Sequence, residues 1–265
     1  MLSKNKIKFI NALKKKKSRN EKGCFIAEGS KTVADLLASG MQARLICSTG
    51  GWMQSHSAFS QANIIEHIEI TGKDMQKISS LKTPQEVLGV FVIPEYREKE
   101  EKLIRQISLV LDRIHDPGNL GTIIRIADWF GIQNVICSAD TVDAFNPKTV
   151  QATMGSLASV NIFYRDLPEL MKKFSGRSGF NIYGCFLEGE NLYTAPLGNR
   201  GFIIMGSESH GISSYLMPFI NRHLAIPSFS EGYATGAESL NVSVATGIVC
   251  SEFRRRKATA DHHSK

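Results

Sequence analysis

A chain of 265 residues, 42% hydrophobic and 22% charged, has the composition of an ordinary globular protein and room for two domains of about 100 to 200 residues each, which excludes disorder as the default state. Its formal net charge of +7 and pI of about 9.1 point to an anionic partner, because clustered Lys and Arg attract polyphosphate backbones.

The first stretch is basic: Lys4, Lys6, Lys8, Lys14, Lys15, Lys16, Lys17, Arg19 and Lys22 face a single acid, Glu21. Residues 254–257, three arginines and a lysine, form a second cluster. Both clusters read as phosphate-contacting surface or as solubilising ends. KIKFINALKKK and SKTVADLLASG carry helical periodicity, whereas ARLICST, NIIEHIEI and VLGVFVIP read as short buried strands, so a small α/β domain is expected over residues 1–95. The charge-dense run EYREKEEKLIRQ reads as a solvated linker, with the boundary near residue 100.

Beyond it the pattern alternates. ISLVLD, NVICSA, NIFYR, NIYGCF, GFIIMG and HLAIP are strand-like, and helices are expected at 120–130, 147–158, 167–174 and about 240–256. Strands separated by helix-length segments imply parallel strands joined by crossovers, hence an α/β domain over 104–257 with a short tail at 258–265. Cys24, Cys47, Cys137, Cys185 and Cys250 are odd in number and contain no CxxC pair, so neither a disulfide framework nor a metal site is indicated. The basic N-terminus lacks an apolar core after its charges, and no run approaches the ~18 apolar residues of a membrane span; a cytoplasmic protein with no membrane partner is expected.

Three segments could carry chemistry. In LDRIHDPGNLGTIIRIADWFG a strand ends at Asp112, Asn119 stands where a helix cap or a ligand contact belongs, and Arg125 falls among Ile123, Ile124, Ile126 and Ala127, where a buried guanidinium would need partners. GFIIMGSESHGIS puts Glu208 at the mouth of a sheet, either to favour a helix start or to orient a basic group such as Arg125. In HLAIPSFSEGYATGAESLNVSVATGIVC, Ser239 reads first as the cap of a mostly buried helix, and Asn241 as an amide that needs partners. GxGxxG, GxxxxGK[ST], HExxH and GxSxG patterns are all absent, which argues against dinucleotide binding, NTP hydrolysis, metal hydrolysis and serine hydrolysis.

In this order the three segments resemble the three sequence motifs of the SpoU/TrmH family of RNA ribose methyltransferases, within the SPOUT superfamily. FIAEGSKTVADLL and MQKISSLKTPQEVLGVF also resemble the small N-terminal RNA-binding domain that many members carry, so the resemblance spans nearly the whole chain. It implies a parallel-sheet domain with a deep trefoil knot, a homodimer, and S-adenosyl-L-methionine held by Met205, Gly206, Ile226, Pro227, Ser239 and Leu240. Asn119, Arg125, Glu208, Ser239 and Asn241 match the polar motif residues and are the expected catalytic set. Lys14, Lys15, Lys16, Lys17, Arg19 and Arg125 are the expected RNA contacts. In one departure, FSEGYATGAE is longer than the compact glycine loop usual in the family, which implies a reshaped cofactor loop. The expected activity is methylation of a ribose 2'-hydroxyl in structured RNA, ribosomal before transfer RNA. A non-catalytic RNA-binding protein that keeps the fold is the alternative, and an α/β enzyme acting on a small anion is a third reading, which leaves the basic N-terminus unexplained.

Overall fold

The computed structural model describes residues 2–56, 63–96, 103–229 and 238–263, with side chains up to Lys257. These residues form two compact units that do not follow chain order. Met1–Glu95 groups with Asp143–Ser159, and Tyr96–Val142 with Val160–Lys265.

In the first unit, α1 (Lys4–Ala12) starts at Ser3, whose hydroxyl accepts from the Lys6 amide, and buries Ile10. The helix expected to run on through Lys16 stops at Leu13, and the basic run continues as a second short helix, α2 (Lys16–Lys22), ended by Gly23 at a left-handed φ of 59°. After it come β1 (Cys24–Glu28), α3 (Ser30–Ala38), β2 (Ala43–Ser48), α4 (Trp52–Ser55), β3 (His67–Glu69), α5 (Gly72–Ile78) and β4 (Val87–Val92). The sheet order is β1-β4-β2-β3, antiparallel except for the β2–β3 pair. Only His67–Glu69 of the expected strand NIIEHIEI joins the ladder as a strand.

The same unit takes in α7 (Pro147–Thr153), capped by Asn146. The expected helix to residue 158 breaks at Met154 and Gly155, both at positive φ, before a 3-10 turn at Ser156–Ala158. Phe145 packs on Phe25 at 5.0 Å between ring centroids. Arg19, 1% exposed, binds Asp143 through Nε at 2.9 Å and Nη2 at 2.5 Å.

The second unit holds β5 (Ile107–Leu111), α6 (Pro117–Trp129), β6 (Asn134–Ser138), β7 (Asn161–Arg165), α8 (Leu167–Phe174), β8 (Asn181–Phe186), β9 (Glu190–Asn191), β10 (Gly201–Met205), β11 (Arg222–Ala225) and α9 (Val242–His263). Every pairing in its seven-stranded sheet is parallel, in the order β7-β6-β5-β10-β8-β11-β9, so the fold is of the expected α/β class. β5, β6 and β10 are buried along their whole length, which is why they read as continuous apolar runs. Phe174, Phe180 and Phe202 meet at 5.0 to 5.3 Å on one face, each such side chain contributing roughly 1.5–3 kcal/mol by burial.

The linker expectation needs correction at both ends. Tyr96 and Leu103 belong to the core of this unit, Tyr96 meeting Phe163 edge-on at 5.9 Å, so the apolar residues that flank the charges are structural. Residues 97–102 lie outside the described set. Among the described residues no helix is long and apolar enough to cross a membrane.

Two of the three C-terminal arginines, Arg254 and Arg256, are half-buried and engaged inside the unit rather than displayed to a phosphate, whereas Arg255 stays exposed. Arg254 donates to the carbonyls of Phe130 and Gly131 at the end of α6, where orphan acceptors and the helix dipole favour a cation. Arg255 and Arg256 both bind the buried Glu252, and Arg256 also reaches the carbonyls of Leu192 and Ala195. The hydrogen bonds from Arg255, followed by those from Arg256, hold the Glu252 carboxyl down at about 2 against burial. A depressed carboxylate pKa stabilises the folded state above its unfolded value, near pH 4.5, and that contribution disappears as pH falls towards 2. Melting temperature measured from pH 5 down to pH 2 is therefore expected to fall less steeply in Glu252→Gln than in the wild type; equal slopes would refute this.

Candidate active site

α6 begins with Pro117 at its first position, and Asp116, not Asn119, is the cap: its Oδ1 accepts from the Asn119 amide at 2.8 Å. Relieved of that duty, the Asn119 side chain reaches across the mouth of the sheet. Its Nδ2 donates to Glu208 Oε1 at 3.2 Å, and its Oδ1 accepts from Asn241 Nδ2 at 3.0 Å. Asn241 Nδ2 also donates to Glu208 Oε1 at 2.5 Å, closing a triangle of residues from three distant segments.

The second cap assignment is corrected too. α9 starts at Val242 and its cap is Asn241, whose Oδ1 accepts from the Ser243 and Val244 amides at 3.0 and 3.3 Å. Ser239 and Leu240 are exposed and precede the helix. Glu208 Oε1 accepts additionally from the Val242 amide at 3.2 Å, so a carboxylate sits at a helix N-terminus, where the dipole and free amides favour it. Each asparagine thus presents one face to Glu208, and its orientation is fixed by the other bonds it makes.

Glu208 itself is aimed by a tight turn. Beyond β10, Ser207 and Gly211 exchange backbone hydrogen bonds at 3.1 and 2.8 Å. Gly206 has to be glycine here, since a Cβ would stand 2.2 Å from the Gly211 carbonyl carbon, and backbone cannot give way.

Arg125 departs from expectation. It is exposed on α6, on the outward stripe with Thr122 and Trp129, while Leu120, Ile123, Ile124 and Ala127 take the buried face. Among the described residues no hydrogen bond or ion pair joins it to Glu208, which is occupied by the two asparagines and the α9 amide. An arginine six positions after Asn119 is rotated well round the helix, so a shared segment does not mean a shared face.

The residues expected to hold a cofactor fall at strand ends. Met205 and Gly206 close β10, Ile226 and Pro227 follow β11, and Ser239 and Leu240 precede α9. Such carboxyl ends of parallel strands leave backbone donors and acceptors free for a ligand. Residues 230–237, which include most of the long loop FSEGYATGAE, lie outside the described set.

In the first unit, the expected RNA contacts divide. Lys15, Lys16 and Lys17 are exposed, whereas Lys14 donates to the Ser79 carbonyl at 3.0 Å. Arg19 donates to the carbonyls of Leu13 and Lys14 as well as to Asp143 and is 1% exposed, which puts its guanidinium out of reach of a phosphate.

Residues 106–251 match the SpoU rRNA Methylase family, and residues 4–89 match an MRM3-like substrate binding domain. The chain is similar to the 23S rRNA (guanosine(2553)-2'-O)-methyltransferase RlmP of Bacillus subtilis, with 29% identity over 94% of this chain and 96% of that one. Among solved structures, a TrmH-family protein of Porphyromonas gingivalis is 38% identical, with a TM-score of 0.85 over 97% of this chain and 99% of that one. The AdoMet-bound rRNA methyltransferase of Sinorhizobium meliloti is 30% identical, with a TM-score of 0.83 over 97% of this chain and 96% of that one. The three segments whose polar residues meet at Glu208 all fall inside the matched stretch, and the chain belongs to the SpoU rRNA methylase family.

Proposed function

We propose that this protein transfers a methyl group from S-adenosyl-L-methionine to a ribose 2'-hydroxyl of ribosomal RNA. The observation that carries the reading is the closed cluster of Asn119, Glu208 and Asn241 at the carboxyl end of a parallel sheet, within a chain of this family. The named relative modifies a guanosine 2'-oxygen of 23S rRNA, which favours ribosomal over transfer RNA.

Gly206, where only glycine fits, and the apolar side chains of half-buried Ile226 and exposed Leu240 at the neighbouring strand and helix ends suit an adenosine moiety, and we assign them, with Met205, Pro227 and Ser239, to the cofactor. When bound, the cofactor supplies an electrophilic methyl group on a sulfonium. The protein then has to hold the 2'-oxygen in line with it, and alignment alone can contribute on the order of 7 kcal/mol. Asn119 and Asn241, set by Glu208, position the ribose side. Arg125, exposed and unpaired among the described residues, binds the target phosphate and stabilises the developing alkoxide. A guanidinium stays protonated in water and is a poor base, so a phosphate oxygen or water takes the proton.

Lys15, Lys16 and Lys17 grip RNA phosphates and carry no sequence information of their own. A second copy of the chain covers Trp129 (84% exposed) on α6 and Val244 (52%) on α9, making a homodimer with Arg125 at the open edge of that contact, where RNA reaches it. The position of β10 between β5 and β8 supports a knotted chain, and a bacterial relative acting on ribosomal RNA supports the cytoplasm as its place of work.

Incubating the protein with labelled S-adenosylmethionine and ribosomal RNA from a strain lacking the gene should give label at one mapped 2'-oxygen. RNA binding with neither cofactor binding nor label would instead favour a non-catalytic RNA-binding protein.

A further inference from the structure

The turn that carries Glu208 is attached at both ends to one residue of another strand. Asp112, immediately after β5, donates its backbone amide to the Met205 carbonyl at 2.9 Å, where the turn begins. Its Oδ2 accepts from the Ser213 amide at 2.6 Å, where the turn ends. Its Oδ1 accepts from the Tyr215 hydroxyl at 3.3 Å, and Arg113 Nε lies 3.7 Å away. The Asp112 side chain is 0% exposed.

A carboxylate taken wholly out of water is strongly destabilising unless charged or polar partners replace the water, and here most of them come from the segment that follows the turn. The chain leaves Asp112 sharply. Arg113 takes a left-handed φ of 58°, an uncommon conformation for a side chain of its size, and its amide donates to Ser138 Oγ at 2.9 Å. Strain of this kind beside a site persists only where surrounding bonds over-determine it.

We propose that Asp112 is a positioning residue for the reaction, clamping the 206–212 turn so that the Met205–Gly206 backbone is set for the cofactor and Glu208 for the two asparagines. This rests on the function proposed above. Among the described residues no hydrogen bond joins Asp112 to Asn119 or Asn241, so its action passes through the turn. Because its bonds bracket Met205 and Gly206, its loss should fall on cofactor affinity and leave the affinity for RNA in place.

The test uses the full-length protein and S-adenosylmethionine, with calorimetric binding, separate KM values for cofactor and RNA, and melting curves. Asp112→Ala is expected to weaken cofactor binding by roughly tenfold or more, the scale of a hydrogen bond to a buried charge. Asp112→Asn, which keeps an oxygen for the Ser213 amide, should recover part of that loss. Tyr215→Phe, which removes one donor to the buried Oδ1 but keeps Asp112 and the Ser213 bond in place at a residue 47% exposed, should still fold with a small fall in melting temperature and should raise Kd and the cofactor KM by about threefold. If Asp112→Ala does not fold, Tyr215→Phe decides. Cofactor affinity within about twofold of wild type in Tyr215→Phe and in whichever Asp112 variants fold would overturn the proposal alone. A wild-type protein that does not bind S-adenosylmethionine would overturn the function reading and this proposal with it.

Discussion

Arg125→Ala is expected to slow methyl transfer by roughly 100- to 1,000-fold, the usual loss when one preorganised donor to a developing oxyanion is removed. Two structural facts make the result interpretable. Arg125 is exposed on the outward stripe of α6, and no hydrogen bond or ion pair involving it exists among the described residues, so its removal leaves no buried group unpaired. The melting temperature should therefore hold within the small range typical of surface substitutions. S-adenosylmethionine affinity should hold as well, because the residues assigned to the cofactor lie at the ends of β10 and β11 and ahead of α9. The loss should appear in kcat, with a smaller rise in KM for RNA from the missing phosphate contact. Arg125→Lys separates charge from shape: an ammonium keeps the cation but lacks the planar fork, and substantial turnover at raised pH would refute a requirement for the fork. Unchanged kcat in Arg125→Ala would remove this arginine from the chemistry.

What could be read in the sequence, and what could not, follows from the range of the forces involved. β5, β6 and β10 announce themselves because a strand covered on both faces must be largely apolar. The insertion of β10 between β5 and β8 has no such local signature, since a crossover can place a strand at more than one neighbour. Helix caps were misplaced by two or three residues, Asp116 for Asn119 and Asn241 for Ser239, because Asp, Asn and Ser all suit the position and only the backbone decides between them. That shift had functional content: with Asp116 as the cap, the Asn119 side chain is available to Glu208. The meeting of Asn119, Glu208 and Asn241 was legible as a set of matching motif residues, but their hydrogen bonds to one another were not. Arg125 was read as buried from its neighbours in sequence, although helical rotation turns it away from them. Asp112 reads in the sequence only as the end of a strand, because nothing near it in the chain shows that its partners are Ser213 and Tyr215.

Arg19→Met should be the most damaging substitution for stability, at about 3–5 kcal/mol, because it leaves the Asp143 carboxylate almost buried without its cation. In sequence Arg19 is one more charge in a basic run. In the first unit it is 1% exposed, holds α2 to a segment more than a hundred residues away through Asp143, and also binds the carbonyls of Leu13 and Lys14 just ahead of its own helix. The pair is fixed by its surroundings: Phe145 lies against Phe25 beside it, and the Asp143 Oδ1 accepts from the Phe145 amide at 2.9 Å. An apolar replacement of both partners should restore part of the loss, since buried ion pairs are often no better than well-packed hydrocarbon. Arg19→Met/Asp143→Leu would then melt above Arg19→Met yet below wild type, because the Leu13 and Lys14 carbonyls still lack their donor, at about 1–3 kcal/mol for a buried acceptor. Urea unfolding of the three proteins measures this directly. The alternative role, a phosphate grip, predicts the opposite pattern: RNA affinity would fall and its salt dependence flatten while the unfolding midpoint stayed put. Lys15→Ala, Lys16→Ala and Lys17→Ala, at exposed positions of the same run, should show that second pattern, so the two behaviours separate within a few residues of one another.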